Sequence, residues 1–386
     1  MRITGATAWV VTLPSRRIHN WASKMRTPIG QHYIFRLETD DGLVGWGETP
    51  AIATWGGPHG SYYGETAVTV THVMRDYLLP ALEDADPLQI RDCHARMDRA
   101  IKGHPYAKAA VDIALHDIAG KAAGVPVYVL LGGRVRDSIE VCHSLGIMET
   151  GAAVAEAETA VAEGIRTIKC KTGLDPERDV DLVNRLRAAL GPEIGIRVDA
   201  NEAYPSSHMA AAVARRMEPL GVLFNEQPVA GFEELAAVAR STTMPVMADE
   251  SAWTTRDVLR LRDLGAASII SLYTTKPGGL HRAMEVATVA AACGISCDIG
   301  GSIEMGIGVA ANLHLGVSAG PVAWASVCPV PNPGGRAGPT VAGIYYLDDI
   351  ITEPLRYEDG RLFVPEGPGL GVEVDEAQLA RVGERV

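Results

Sequence analysis

The chain has 386 residues, 47% of them hydrophobic, which is room for a large barrel plus a smaller module. It carries 35 Lys and Arg against 47 Asp and Glu, a formal net charge of −12, and this excludes sequence-independent nucleic-acid binding, which needs a basic surface. No run reaches the apolar length of a membrane span, and the six scattered cysteines (Cys93, Cys142, Cys170, Cys293, Cys297, Cys328) predict free thiols in a reducing cytoplasm, without a zinc site.

The opening "MRITGATAWVVTLPSRR" alternates like a strand before Pro14 and lacks a small-residue cleavage site, so a signal peptide is not expected. "HYIFRLETDDGLVGWGE" reads as two strands joined at Asp40-Asp41-Gly42, a hairpin signal. From about Glu65 to Ala123 apolar residues recur at three- and four-residue spacing, as in "AKAAVDIALHDIAGKAAG", which predicts helices. Residues 1–130 therefore form an α+β module.

From about Ser138 the rhythm changes. Eight short apolar runs, "IEVCHSL", "IRTIKCK", "IGIRVDAN", "GVLFNEQP", "PVMADES", "ASIISLY", "GISCDIG" and "PVAWASV", alternate with helical stretches. Their end residues Lys169, Asp199, Glu226, Asp249, Tyr273 and Asp298 follow one another at steps of roughly 23 to 30 residues, one βα unit each. So regular a period favours a closed (β/α)8-type barrel over 131–328, with its polar strand ends at the catalytic mouth. Residues 329–386 are rich in Pro and Gly and read as loops and strands returning to the first module.

Asp199, Glu226 and Asp249 end three successive runs, so barrel geometry converges them. Three carboxylates that close repel one another unless a cation sits among them, and an oxygen-only set suits Mg²⁺ or Mn²⁺. Capping of the following helices explains one such acid well but three in register poorly. Asn201 and Glu250 follow these ends, as supporting residues or as helix caps. In "TIKCKTG", Lys169 and Lys171 are two apart on a strand and share a face. Facing inward, they lie one strand before the first carboxylate, where a desolvated Lys near a cation has a lowered pKa and acts as a base.

This constellation resembles the enolase superfamily, in its mandelate racemase and muconate-lactonizing branch. "RVDAN", "NEQP" and "ADES" look like that branch's metal-ligand motifs, and "HDIAGKAAGVPVYVLLGG" resembles its junction between cap and barrel. The resemblance implies a modified TIM barrel, (β/α)7β, under an α+β capping domain. It implies one Mg²⁺ on Asp199, Glu226 and Asp249, and abstraction of a proton α to a carboxylate with enediolate stabilisation. It assigns the base to Lys171 and a companion role to Lys169, lowering the pKa of Lys171. It also implies a cytoplasmic homo-oligomer, dimer or octamer, acting on a small carboxylate.

One departure stands out. The branch's second catalytic Lys ends the sixth strand, 24 residues after the third ligand, and Tyr273 stands at that place here. Lys276 follows three residues later, so either side chain is a candidate for the opposite acid or base. Asp298 and Glu304 in "CDIGGSIEMGIG" are candidates for substrate binding. So are Trp21, Trp55 and Tyr62 of two cap loops that also carry Arg16, Arg17, His19, Lys24, Arg26 and His59, and so is Trp324 near the eighth strand end. The leading reading is an isomerase (racemase, epimerase or cycloisomerase). A lyase using the same Lys base comes second, and a non-catalytic metal-binding barrel third.

Overall fold

A computed structural model describes residues 1–21, 30–57 and 62–386. The N-terminal strands β1 (Ile3–Thr12), β2 (Gln31–Thr39) and β3 (Val44–Pro50) form an antiparallel meander. The β2–β3 turn falls where Asp40-Asp41-Gly42 predicts it, with the Gly42 amide donating to Thr39 O and Gly42 at φ +85°. The 19-residue helix Pro105–Ala123 lies directly on β3. Gly45 and Gly47 make that approach possible, because a Cβ at either would overlap the carbonyls of Ala114 and Ala110. Phe35, Leu37, Val111 and Leu115 are among the buried residues of this module's own core.

The short strand β4 (Ser138–Glu140) leads into seven parallel strands. These are β5 (Cys142–Leu145), β6 (Thr167–Lys171), β7 (Gly195–Asp199), β8 (Val222–Glu226), β9 (Val246–Ala248), β10 (Ile269–Leu272) and β11 (Ser296–Ile299), paired in sequence order. Helices join them, as crossovers between parallel neighbours require. The eighth run closes the barrel without forming a regular strand: Val322 bridges Cys297 at one edge and Ser326 bridges Val141 at the other. β12 (Tyr357–Glu358) and β13 (Arg361–Phe363) then pair with β4, and β14 (Gly383–Arg385) pairs with β1. The C-terminal segment thus returns to the capping sheet. All six cysteines are unpaired and five are buried. Among the described residues, no helix is long and apolar enough to cross a membrane.

The cap is keyed to the barrel through charge. Glu48 of β3 accepts the amides of Met305 and Gly308, at 2.6 and 2.7 Å, at the start of helix Gly306–Ser318. A carboxylate there meets unpaired amides and the positive end of the helix dipole. Across the mouth, Glu156 of helix Thr150–Ala162 holds Arg16, Arg17 and His143 at 2.8 to 2.9 Å.

Candidate active site

Parallel register sets the site. Lys171 pairs with Asp199, and Asp199 with Glu226, so the ends of β6, β7 and β8 lie side by side, with Asp249 directly after β9. Both β6 lysines face inward and are nearly buried. Lys169 Nζ donates to Glu226 Oε1 at 2.7 Å and lies 2.8 Å from Asp199 Oδ2. Lys171 Nζ donates to Asp199 Oδ2 at 2.6 Å and to Asn201 Oδ1 at 2.7 Å, and Asn201 passes its amide on to Glu250 Oε1.

Burial opposes the charge on Lys169, but Asp199 and Glu226 outweigh it and raise its pKa. That is the reverse of the lowering expected from desolvation, because two carboxylates stand within hydrogen-bond reach. Asp199, buried yet facing both lysines, is held low. Glu226 is pushed up to about 8 by burial and by Asp199. Its Oε2 has no hydrogen-bond partner, with Arg197 standing 3.9 Å away.

Among the described residues, no three acidic, His or Cys side chains already enclose a common cation position, since Lys169 lies between two of the acids. The donor set nevertheless fits a divalent cation: three buried carboxylates supply oxygens only, and one oxygen lacks a partner.

The sixth strand separates its two candidates. Tyr273 lines the cavity, its ring 6.0 Å from that of Trp55, and donates to Asp249 Oδ2 at 3.3 Å. Burial and Asp249 drive its hydroxyl pKa well up. Lys276 does not line the cavity. Its ammonium donates to Asp249 O, Asp249 Oδ1 and Ser271 O at 2.9, 2.7 and 2.8 Å, which uses all three protons. β10 lies four strands from β6 in the sheet order, so Tyr273 faces the lysine pair across the mouth.

Other candidate residues divide. Trp21 and Trp55 line the cavity with Lys169, Lys171 and Asn201. Asp298 does not reach it: the side chain is spent on Arg197 at 2.7 Å and Ser271 at 2.8 Å in the layer beneath the mouth. Glu304 lies behind the wall, accepting the Ser302 amide, while Ser302 and Ile303 face the cavity. Tyr62 packs the cap loop onto the barrel, stacked 4.7 Å from Trp253 and bonded to Asp257, and is not in the cavity. Trp324 is at the wrong end, donating to Ser296 at the first residue of β11 and packing on Phe224. The eighth segment enters there and reaches the mouth only at Val327. Lys24, Arg26 and His59 lie outside the described residues.

Six wall residues were not candidates from sequence: Ile52, Ser144, Ser302, Ile303, Val327 and Tyr345. Ser144 pairs in register with Lys169, so extending the strand-end rule to the first run would have found it. Tyr345 comes from the C-terminal segment, and Ile52 follows β3; neither has a spacing signal.

Residues 7–132 match the family described as mandelate racemase / muconate lactonizing enzyme, N-terminal domain, and residues 152–378 match the enolase C-terminal domain-like family. Muconate cycloisomerase 1 of Rhodococcus opacus is 34% identical over 384 residues, covering 97% of this chain and 96% of that protein. N-succinyl-L-Arg/Lys racemase of Bacillus cereus is 30% identical, with 98% and 97% covered. The crystal structure of the latter superposes with a TM-score of 0.89 at 29% identity over all of both chains. That of muconate lactonizing enzyme from Pseudomonas fluorescens, complexed with muconolactone, gives 0.88 at 31% identity over 99% of each.

Proposed function

The chain belongs to the mandelate racemase and muconate lactonizing enzyme branch of the enolase superfamily, and from that membership we propose an isomerase that moves a proton α to a carboxylate from one face only. The observation that carries the reading is the pairing of Lys171 with Tyr273, and not with a second lysine, across the mouth. Racemisation by two bases needs a strong acceptor on each face. Tyr273 has its proton engaged by Asp249, and Lys276 has no proton free to offer the cavity. A cycloisomerisation, in which one group removes and returns the proton on a single face, needs only Lys171.

The residues take these roles. Lys171, as the free amine, accepts the α-proton, and its position is fixed by Asn201 and Asp199. Lys169 holds positive charge beside the substrate carboxylate. Asp199, Glu226 and Asp249 would hold Mg²⁺ or Mn²⁺, which supplies charge stabilisation as the carboxylate gains electron density. Tyr273 forms a neutral wall, and Trp21 and Trp55 keep water from the reacting carbon. Asp249 is the single acid among the described wall residues, and it is a ligand candidate. The described wall therefore suits a carboxylate with an apolar or oxygen-bearing body and offers a cationic side chain no acid beyond Asp249. The relatives compared are isomerases and lend the lyase and non-catalytic readings no support.

The test is incubation with Mg²⁺ in D₂O, offering muconolactone and N-succinyl-L-arginine separately. Deuterium entering muconolactone α to its carboxylate, without loss of water, supports the reading. A 2-keto acid from any substrate found, or inversion of N-succinyl-L-arginine as the faster reaction, contradicts it.

A further inference from the structure

His19 belongs to the cap segment between β1 and β2, yet its ring lines the cavity beside Lys169 and Lys171. Arg17 NH1 contacts His19 Nδ1 at 3.0 Å. A guanidinium has no lone pair to offer, so Nδ1 must be the acceptor and cannot carry the proton. Arg17 has no freedom to turn away. Its Nε donates to both Glu156 oxygens at 2.9 Å and its NH2 to Ser144 O at 3.0 Å. Glu156 is itself fixed by Arg16 and by His143 Nε2, whose Nδ1 accepts the Gly343 amide. His143 is thereby set as the Nε2–H tautomer, which donates that proton to Glu156. The relay runs from Glu156 on a barrel helix through Arg17 to one imidazole in the cavity, with Arg16 and His143 bracing Glu156.

We propose that His19 is a specificity residue: a tautomer-locked, neutral Nε2–H donor that receives a carboxylate or carbonyl oxygen of the substrate next to Lys171 and rejects an ammonium or guanidinium there. This rests on the isomerase reading above. Among the described residues none accepts from Nε2, and the ring lines the cavity, which places that donor where a ligand oxygen can meet it. The ring is 5% exposed and packs between Tyr345, 5.2 Å away, and Trp21, 6.4 Å away, which fixes its plane. Burial, then Arg17 and Lys171, lowers its pKa well below the usual imidazole value, which favours the neutral ring. A donor held in a dry, preset orientation discriminates more strongly than apolar contact, because a mismatched ligand leaves it unpaired. Arg17 acts through His19 and is a positioning residue.

The first experiment needs no substrate: ¹⁵N–¹H correlation spectra of ¹⁵N-histidine-labelled full-length protein, with His19→Gln supplying the assignment. The expected signature is a neutral imidazole protonated at Nε2 from pH 6 to pH 8, converting to a mixture of tautomers in Arg17→Met. A protonated Nδ1 in the wild type, or an unchanged signature in Arg17→Met, overturns the lock.

The second experiment is deuterium exchange into muconolactone with Mg²⁺ present. His19→Leu is expected to raise KM about tenfold or more with little change in kcat, whereas His19→Gln, which keeps an N–H donor, stays within about threefold. Equal KM for His19→Leu and wild type overturns the inference. So does a wild type that prefers N-succinyl-L-arginine, or one that takes neither compound. Exchange that survives Lys171→Ala overturns the parent reading instead, whatever His19 does.

Discussion

Lys169 and Lys171 share a strand face but not a set of partners. Lys169 spans Asp199 and Glu226; Lys171 spans Asp199 and Asn201. Removing Lys169 leaves two buried carboxylates with less compensation, at a cost of about 3–5 kcal/mol. We therefore expect Lys169→Met to melt lower than wild type in chelator, and added Mg²⁺ to raise its melting temperature more than it raises that of wild type. Equal Mg²⁺ shifts would remove these acids from the cation site. Glu304 gives a pH-dependent prediction. Burial raises its carboxyl to about 7, so its charged form is penalised in the fold. A folded value above the unfolded one favours the folded state at low pH, and stability is lost as pH rises from about 4.5 through 7. Glu304→Gln should raise the melting temperature at pH 8 and leave it nearly unchanged at pH 4.5, measured by calorimetry. The two lysines and three acids were legible because a βα period fixes strand ends. The roles of Asp298, Glu304 and Lys276 were not, since a polar residue near a strand end can turn to the layer below, behind the wall, or onto a neighbouring backbone.

Elements explain which loop residues were misplaced. Tyr62 and Trp324 are large aromatics near the barrel ends, and sequence offers no means to separate packing from lining. Tyr62 stacks on Trp253, and Trp324 closes the base of the barrel because the eighth segment starts beside Ser296. The hairpin at Gly42 was readable because its turn chemistry is local. The contact of helix Pro105–Ala123 on β3 was not, because it depends on two glycines meeting a helix some 60 residues later. Gly47→Ala should cost about 1–3 kcal/mol by overpacking, read by urea denaturation, with no change of secondary structure by circular dichroism. A neutral result would mean that the helix sits farther from the strand.

At the scale of the whole molecule, a cap built from both ends of the chain closes a barrel whose mouth holds the charges. Glu48 ties that cap to the helix following β11 and so steadies the wall at Ser302 and Ile303. Glu48→Ala should lower the unfolding free energy by about 1–3 kcal/mol, since two buried amides lose their acceptor. The central claim is that Lys171 handles the proton from one face while Tyr273 closes the other. Proton NMR of muconolactone in D₂O with enzyme and Mg²⁺ tests it most directly. The account predicts replacement of one of the two hydrogens α to the carboxylate, retention of the other, and no exchange with Lys171→Ala. Replacement of both at comparable rates, or exchange that persists in Lys171→Ala, would contradict it.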